Sequence, residues 1–511
     1  MTDAFFKSLT KERRSIVSIK GDGAHKAWFT AEYFSKQRSP LVMILPDAKA
    51  ARSFMDDLAF FMPEKEDRIV YFPGYNILPF KSLSYHRETS TSRLAALSRV
   101  MDGGAEPYLL VTHVDTLLQY LIPKQVVSGV SELVMANEET DRDILVTNLE
   151  AGGYSRVTLV EDPGEYAVRG GILDVFSPGE DKPVRIEFFG DLVESIRTFS
   201  PFTQRGIKEL EETIILPATE AVISREELPH VLARLRKAGT EAGLAAADIR
   251  EYVTQTREFG RFPGIESMLS IVYEGLDTLF DYLPEQAAFI LDDPDLLASR
   301  AADFSTKAKL NFDTVTRENR LCVDPGSIYM DWDKVADKIG AHHTLSFQQV
   351  VFETDKADTR VVDFSYRDTQ DLAAGLRAQG KSENPLRPLV EWLSAQEDDG
   401  RKVLCTVSQD AQAKRLVSLL APYGIVPALC NDFRAFSGKK SGIYYTISGL
   451  SSGFSPELSD FSLVTENEIF GKKIIRRQKT SHRNLKTEFI APEELKNGDI
   501  VVHLEHGVGR Y

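Results

Sequence analysis

The sequence predicts a multidomain α/β protein built around parallel sheet, and three observations carry that prediction. Over residues 15–120, continuous apolar runs alternate with helical patterns, as in a parallel sheet covered on both faces. Near residue 126 the pattern changes to short strands separated by turns, as in a small α+β module. Helices then return, and a further α/β unit follows from residue 344. At 511 residues the chain has room for several such units.

The first strands are read from "IVSI", "LVMIL" (41–45), "IVYF" (69–72) and "YLLVTH" (108–113). Between them lie helical patterns such as "AKAARSFMDDLAFFM". In "VRIEFFGD" the period is two. Val184, Ile186 and Phe188 share one face, while Arg185, Glu187 and Phe189 share the other. The turn-forming "SPGEDKP" before it pairs this strand with "RGGILDVF". On the second face, the residues alone place Arg185 in a pair with Glu187 or a neighbour. Helices over 218–300, including "SREELPHVLARLRKAG", lead to a strand at "AAFIL". In the last unit "KVLCTVSQDAQAKRLVSLLAPYGI" reads as strand, Ser408 cap, helix and glycine stop. The stretch "GKKIIRRQKTSHRNLK" holds Lys472, Lys473, Arg476, Arg477, Lys479, Arg483 and Lys486 with no acid among them, a basic linker. "LKNGDIVVHLEHGVGRY" then opens a new β module.

A formal net charge of −15 argues against a general nucleic-acid coat. No apolar run reaches the ~20 residues of a membrane span, and "MTDAFFKSLTKERR" has no signal-peptide core, so a cytoplasmic protein without membrane contact is expected. Cys322, Cys405 and Cys430 are widely spaced and form no CxxC pair. His503 and His506 stand without a ligand cluster. No metal site is expected.

The strand–turn–helix passage "SIKGDGAHKAWF" (18–29) poses the chemical question. A phosphate loop reads G-x-x-x-x-G-K-[ST], with glycines for close backbone approach, lysine for the terminal phosphates and a hydroxyl for magnesium. With Lys26 as that lysine, Lys20 and His25 stand at the glycine positions and Ala27 at the hydroxyl. Only the lysine survives. The acidic motif that would hold magnesium falls on "FILDDPDLL". Asp292 is in position, Asp293 is one methylene shorter than the catalytic Glu, and Asp295 stands where a helicase has His. Lys26, Asp292 and Asp293 therefore form a degenerate nucleotide site, expected to be inactive and without catalytic residues.

The order of this turn, then "EDPGEYAVRGGILDVFSPG" with "VRIEFFGD", then "LFDYLPEQAAFILDDPDLL", resembles the excision-repair protein UvrB. With the chain end it resembles more closely the N-terminal half of the bacterial transcription-repair coupling factors (Mfd). The resemblance implies a RecA-like parallel sheet split by an α+β insertion. It divides the chain into a UvrB-like domain (1–124 and 216–343), a UvrA-binding insertion (125–215), a third α/β domain (344–467) and a basic linker (468–494). Residues 495–511 would start a Tudor/SH3-like, RNA-polymerase-interacting domain. It implies UvrA contacts at Arg169, Arg185 and Phe189, and a contact with the polymerase β subunit through the terminal domain. It places ATP, magnesium and most DNA contact in motor domains outside this sequence, with no cofactor here. The function implied is an adaptor that recruits UvrA to RNA polymerase stalled at lesions, in a protein that displaces the polymerase as an ATP-dependent DNA translocase. The alternative is a UvrB-like, nucleotide-dependent helicase or damage-binding protein. In UvrB a Tyr-rich hairpin clamps DNA; the matching stretch here, "FPGYNILPFKSLSYHRETSTSRL", is short, and its Tyr75, Phe80 and Tyr85 are read as packing residues.

Overall fold

The computed structural model describes residues 2–75, 77, 79–80, 86–103, 106–349, 359–379, 384–471, 500–503 and 507–510. Its largest sheet has seven strands, all parallel, in the order Thr359–Asp363, Arg14–Ser18, His343–Gln348, Ala288–Asp292, Leu41–Leu45, Leu109–His113, Ile69–Tyr71. Leu41–Leu45, Leu109–His113 and Ala288–Asp292 are buried at every position, which is why their sequences are apolar without alternation. Helices Ala24–Phe34 and Ala48–Phe61 cover one face through Trp28, Phe29, Phe54 and Leu58. Helices Arg87–Asp102 and Pro294–Arg317 cover the other through Leu94, Leu97, Leu297 and Ala301.

The insertion is a six-stranded sheet whose spatial order follows the chain, from Ser155–Arg156 through Glu165–Arg169, Ile172–Val175, Val184–Phe189 and Leu192–Phe199 to Gly206–Leu210. Helix Arg142–Ala151 packs Leu145 and Leu149 on one face. A two-stranded ribbon, Glu132–Met135 with Glu212–Ile215, closes the module. Helices Leu228–Glu241 and Ala246–Phe259 then form a satellite with a core of their own.

The boundary expected at 344 is corrected. His343–Gln348 and Thr359–Asp363 flank Arg14–Ser18 and complete the first sheet. The third unit's own strands begin at Tyr366–Asp368 and form a mixed six-stranded sheet around Lys402–Val407. Ser408 is not the cap of helix Asp410–Leu420. Gln409 holds that position, and the Ser408 N–H donates to Glu466 at 2.9 Å.

The third unit shares one core with the first. The Trp28 ring lies 5.5 Å from Phe461 and 6.2 Å from Phe454, and Phe61 lies 4.9 Å from Phe433. Strands Ile500–His503 and Gly507–Arg510 pair as an antiparallel hairpin. The basic stretch 472–494, Tyr85 and His506 lie outside the described residues. Among the described residues the three cysteines are free and buried, and no helix is long and apolar enough to cross a membrane.

Candidate functional site

Two places in this framework carry the residues that the sequence singles out. The first is the turn after Arg14–Ser18. Gly21 and Gly23 take φ values of 68° and 155°, which L side chains rarely adopt. Lys26 is buried, with Nζ 2.6 Å from Asp22 Oδ1 and 2.6 Å from Asp292 Oδ1. Burial opposes its charge, but Asp292 and Asp22 outweigh burial and raise its pKa. Asp292 thus meets Lys26 directly, in an ion pair. Asp293 does something else. With φ 63° it caps helix Pro294–Arg317, and its side chain accepts from the Leu296 N–H at 3.2 Å.

The third unit reaches into this turn. The first helical N–H, at Ala24, donates to Ser452 Oγ at 3.0 Å. A Cβ on Gly23 would collide with that same oxygen. His25 stacks on Tyr366, with centroids 4.1 Å apart. These residues do not fit a magnesium nucleotide. The lysine is neutralised, the phosphate-facing N–H has an acceptor, and Ala27 offers no hydroxyl.

His25 and His113 are buried, and burial pushes their pKa values down to about 3 and about 4, with Lys26 adding to the effect at His25. A histidine lowered on folding stabilises the fold above pH 6.5. That contribution is lost as pH falls toward the folded value, by about 1.4 kcal/mol per unit. Asp57 and Asp115, raised by burial to about 6, work in the opposite sense between pH 6 and 3.8. NMR therefore reads the histidines where a melting curve cannot. Both imidazoles are expected to remain neutral at pH 5, and a midpoint near pH 6.5 at either would show that it is not buried.

The second place is the insertion's sheet. Registers Asp174↔Arg185↔Arg197 and Ile172↔Glu187↔Ser195 bring these side chains side by side on one face. The opposite face buries Val184, Ile186 and Phe188, as the period of two requires. Asp174 has a side-chain exposure of 0% and is the centre of the polar face. Its carboxylate accepts from Arg185 Nε at 2.6 Å and Nη2 at 2.9 Å, and from Arg169 Nη2 at 2.7 Å. Arg185 also lies over the Phe199 ring, 4.7 Å from its centroid. Glu187 is not its partner; that carboxylate takes Arg197 at 2.5 Å and Ser195 at 2.9 Å. Asp174 and Glu187 thus hold Arg169, Arg185 and Arg197 in ion pairs on this face, and Glu209 stands opposite Arg197 in the register. Beyond them Phe189 is 74% exposed.

The structure brings Arg169 and Arg185 together and leaves Phe189 at the end of the same strand. Asp174 was missed, although its signal was present. Once "RGGILDVF" pairs with "VRIEFF", Asp174 is the acid on the arginine face. Tyr75 packs inward, its ring 4.2 Å from the Arg93 guanidinium and its hydroxyl donating to Glu220, and Phe80 is buried.

Residues 134–220 match the family described as UvrB interaction domain, and residues 396–469 match the D3 domain of MFD. The transcription-repair-coupling factor of Myxococcus xanthus is 31% identical over 506 residues, 96% of this chain and 42% of that protein. Those of Haemophilus influenzae and Escherichia coli are each 28% identical, over 94% and 96% of this chain. The chain spans about two fifths of the length of these relatives (40–42%). Along nearly all of its length, the chain is similar to part of the transcription-repair-coupling factors.

Proposed function

We propose that this chain is the adaptor portion of a transcription-coupled DNA-repair factor, and that it recruits UvrA through the face carrying Arg169, Arg185 and Phe189. One observation carries the reading. Within the residues matching the UvrB interaction domain, a buried carboxylate fixes two arginines, and the strand that carries one of them ends in an exposed phenylalanine. Arginine and aromatic side chains are the usual anchors of protein interfaces. Held by Asp174, the guanidinium groups lose little freedom when a partner docks.

In this reading the parallel sheet is a RecA-like scaffold that hydrolyses no nucleotide. The terminal hairpin opens a Tudor/SH3-like domain that contacts the RNA polymerase β subunit. ATP, magnesium and translocation on DNA belong to motor domains outside the chain, and the whole factor works in the cytoplasm. Titration of the chain against UvrA tests the reading. Binding in the micromolar range or tighter is expected, together with no ATPase activity. Failure of the wild-type chain to bind UvrA would sink it.

A further inference from the structure

We propose that the loop Ser451–Gly453 of the third unit is the permanent occupant of the phosphate-loop-like cradle, its Ser452 hydroxyl taking the helix N-terminal N–H that a nucleotide phosphate would take. The argument rests on the turn and not on the UvrA reading.

A helix N-terminus attracts an anionic oxygen because its first N–H groups lack partners. Here the N–H of Ala24 is satisfied by Ser452 Oγ at 3.0 Å. A neutral hydroxyl suffices because the Lys26 charge is already met inside the cradle. Lys26 contributes one positive charge, and Asp22 and Asp292 contribute two negative ones. A phosphate entering this cradle would meet a net negative field and would have to displace a made hydrogen bond.

The loop is held from both sides. Asp57, on helix Ala48–Phe61 of the first unit, accepts from Ser451 N at 2.7 Å and Ser451 Oγ at 2.5 Å. From the third unit, Glu468 accepts from Gly453 N at 2.7 Å and also closes the capping box with Thr465. Gly453 has no room for a side chain, since a Cβ there would stand 2.5 Å from Leu463 O. Beside the loop, the Tyr366 hydroxyl donates to Lys20 O. Phe454, the next residue, enters the aromatic core shared with Trp28 and Phe61.

This assigns a task to the third unit. Domain closure around a ligand requires a cleft that opens and closes. Here the cleft is filled by polar contacts and sealed by a common apolar core, so the two units move as one body and no nucleotide regulates their angle.

Hydrogen–deuterium exchange on the whole chain tests the proposal. Ser452→Ala removes the acceptor of the Ala24 N–H, and exchange in peptides spanning 20–28 is expected to rise by about tenfold or more, while peptides spanning 109–113 are unchanged. Asp57→Ala releases Ser451 from the other side. It is expected to do the same, and it reads the proposal should Ser452→Ala not fold. Millimolar Mg-ATP is expected to alter neither the exchange nor the melting temperature of the wild type. Protection of 20–28 by Mg-ATP in the wild type, or unchanged exchange there in the folded variants, would overturn it.

Discussion

Glu220→Ala is expected to cost about 3–5 kcal/mol of stability, because it leaves a buried guanidinium without its counter-charge. Arg93 and Glu220 each have about 1% of the side chain exposed, and Arg93 Nε lies 2.5 Å from Glu220 Oε1. The guanidinium also donates to Pro73 O at 2.8 Å and lies over the Phe72 and Tyr75 rings. Tyr273 adds a hydrogen bond to the Glu220 backbone oxygen at 2.9 Å. The pair joins helix Arg87–Asp102 to the segment where the chain returns from the insertion, so it fixes the module to the body. Urea unfolding of the single variant and of the double variant Arg93→Met with Glu220→Leu separates the causes. Replacing both charges with apolar groups of similar volume is often neutral or stabilising, so the double variant is expected to recover most of the loss. A single-variant loss below about 1 kcal/mol, the level of a surface pair, would show that the ion pair is not buried in solution.

The sheet strands were legible because burial on both faces leaves the same mark on sequence and structure. "LVMIL" has no polar position to spend on solvent, and all five residues are buried. "VRIEFF" was legible for the complementary reason: one buried face imposes a period of two, and that period separated Arg185 and Phe189 from the core. The degenerate turn was readable because a phosphate loop demands particular atoms, and their loss at His25 and Ala27 is visible residue by residue. The contacts that complete these sites were not legible. Ser452 meets Ala24 across 428 residues of sequence, and Asp57 meets Ser451 across 394. No local pattern marks either serine. The boundary at 344 failed for a related reason. A strand's own residues say that it is buried, and only its neighbours say in which sheet, so "HTLSFQ" reads equally well as the start of a new unit or the close of the old one.

Phe189→Ala is expected to weaken UvrA binding by about 2 kcal/mol, roughly thirty-fold in Kd, while leaving the melting temperature unchanged. The ring is 74% exposed in the free chain, so the fold loses almost nothing when it is removed; surface substitutions of this kind stay within about ±0.5 kcal/mol. Arg185→Ala behaves differently. It strips two of the three guanidinium hydrogen bonds from Asp174, leaving a fully buried carboxylate with Arg169 alone. A loss of about 2–4 kcal/mol in stability is expected with the loss of binding. Weaker binding by Arg185→Ala therefore cannot distinguish a contact residue from a strut. The pair of variants can. If Phe189→Ala binds weakly and melts normally, the face meets UvrA directly and the arginines stand in the interface as well as in the fold. If Phe189→Ala binds like the wild type while Arg185→Ala loses both binding and stability, Arg169 and Arg185 serve to neutralise Asp174. The UvrA surface would then lie elsewhere on the insertion, with Phe202, 96% exposed in the loop that Arg185 touches through Gln204 O at 3.4 Å, the next side chain to truncate.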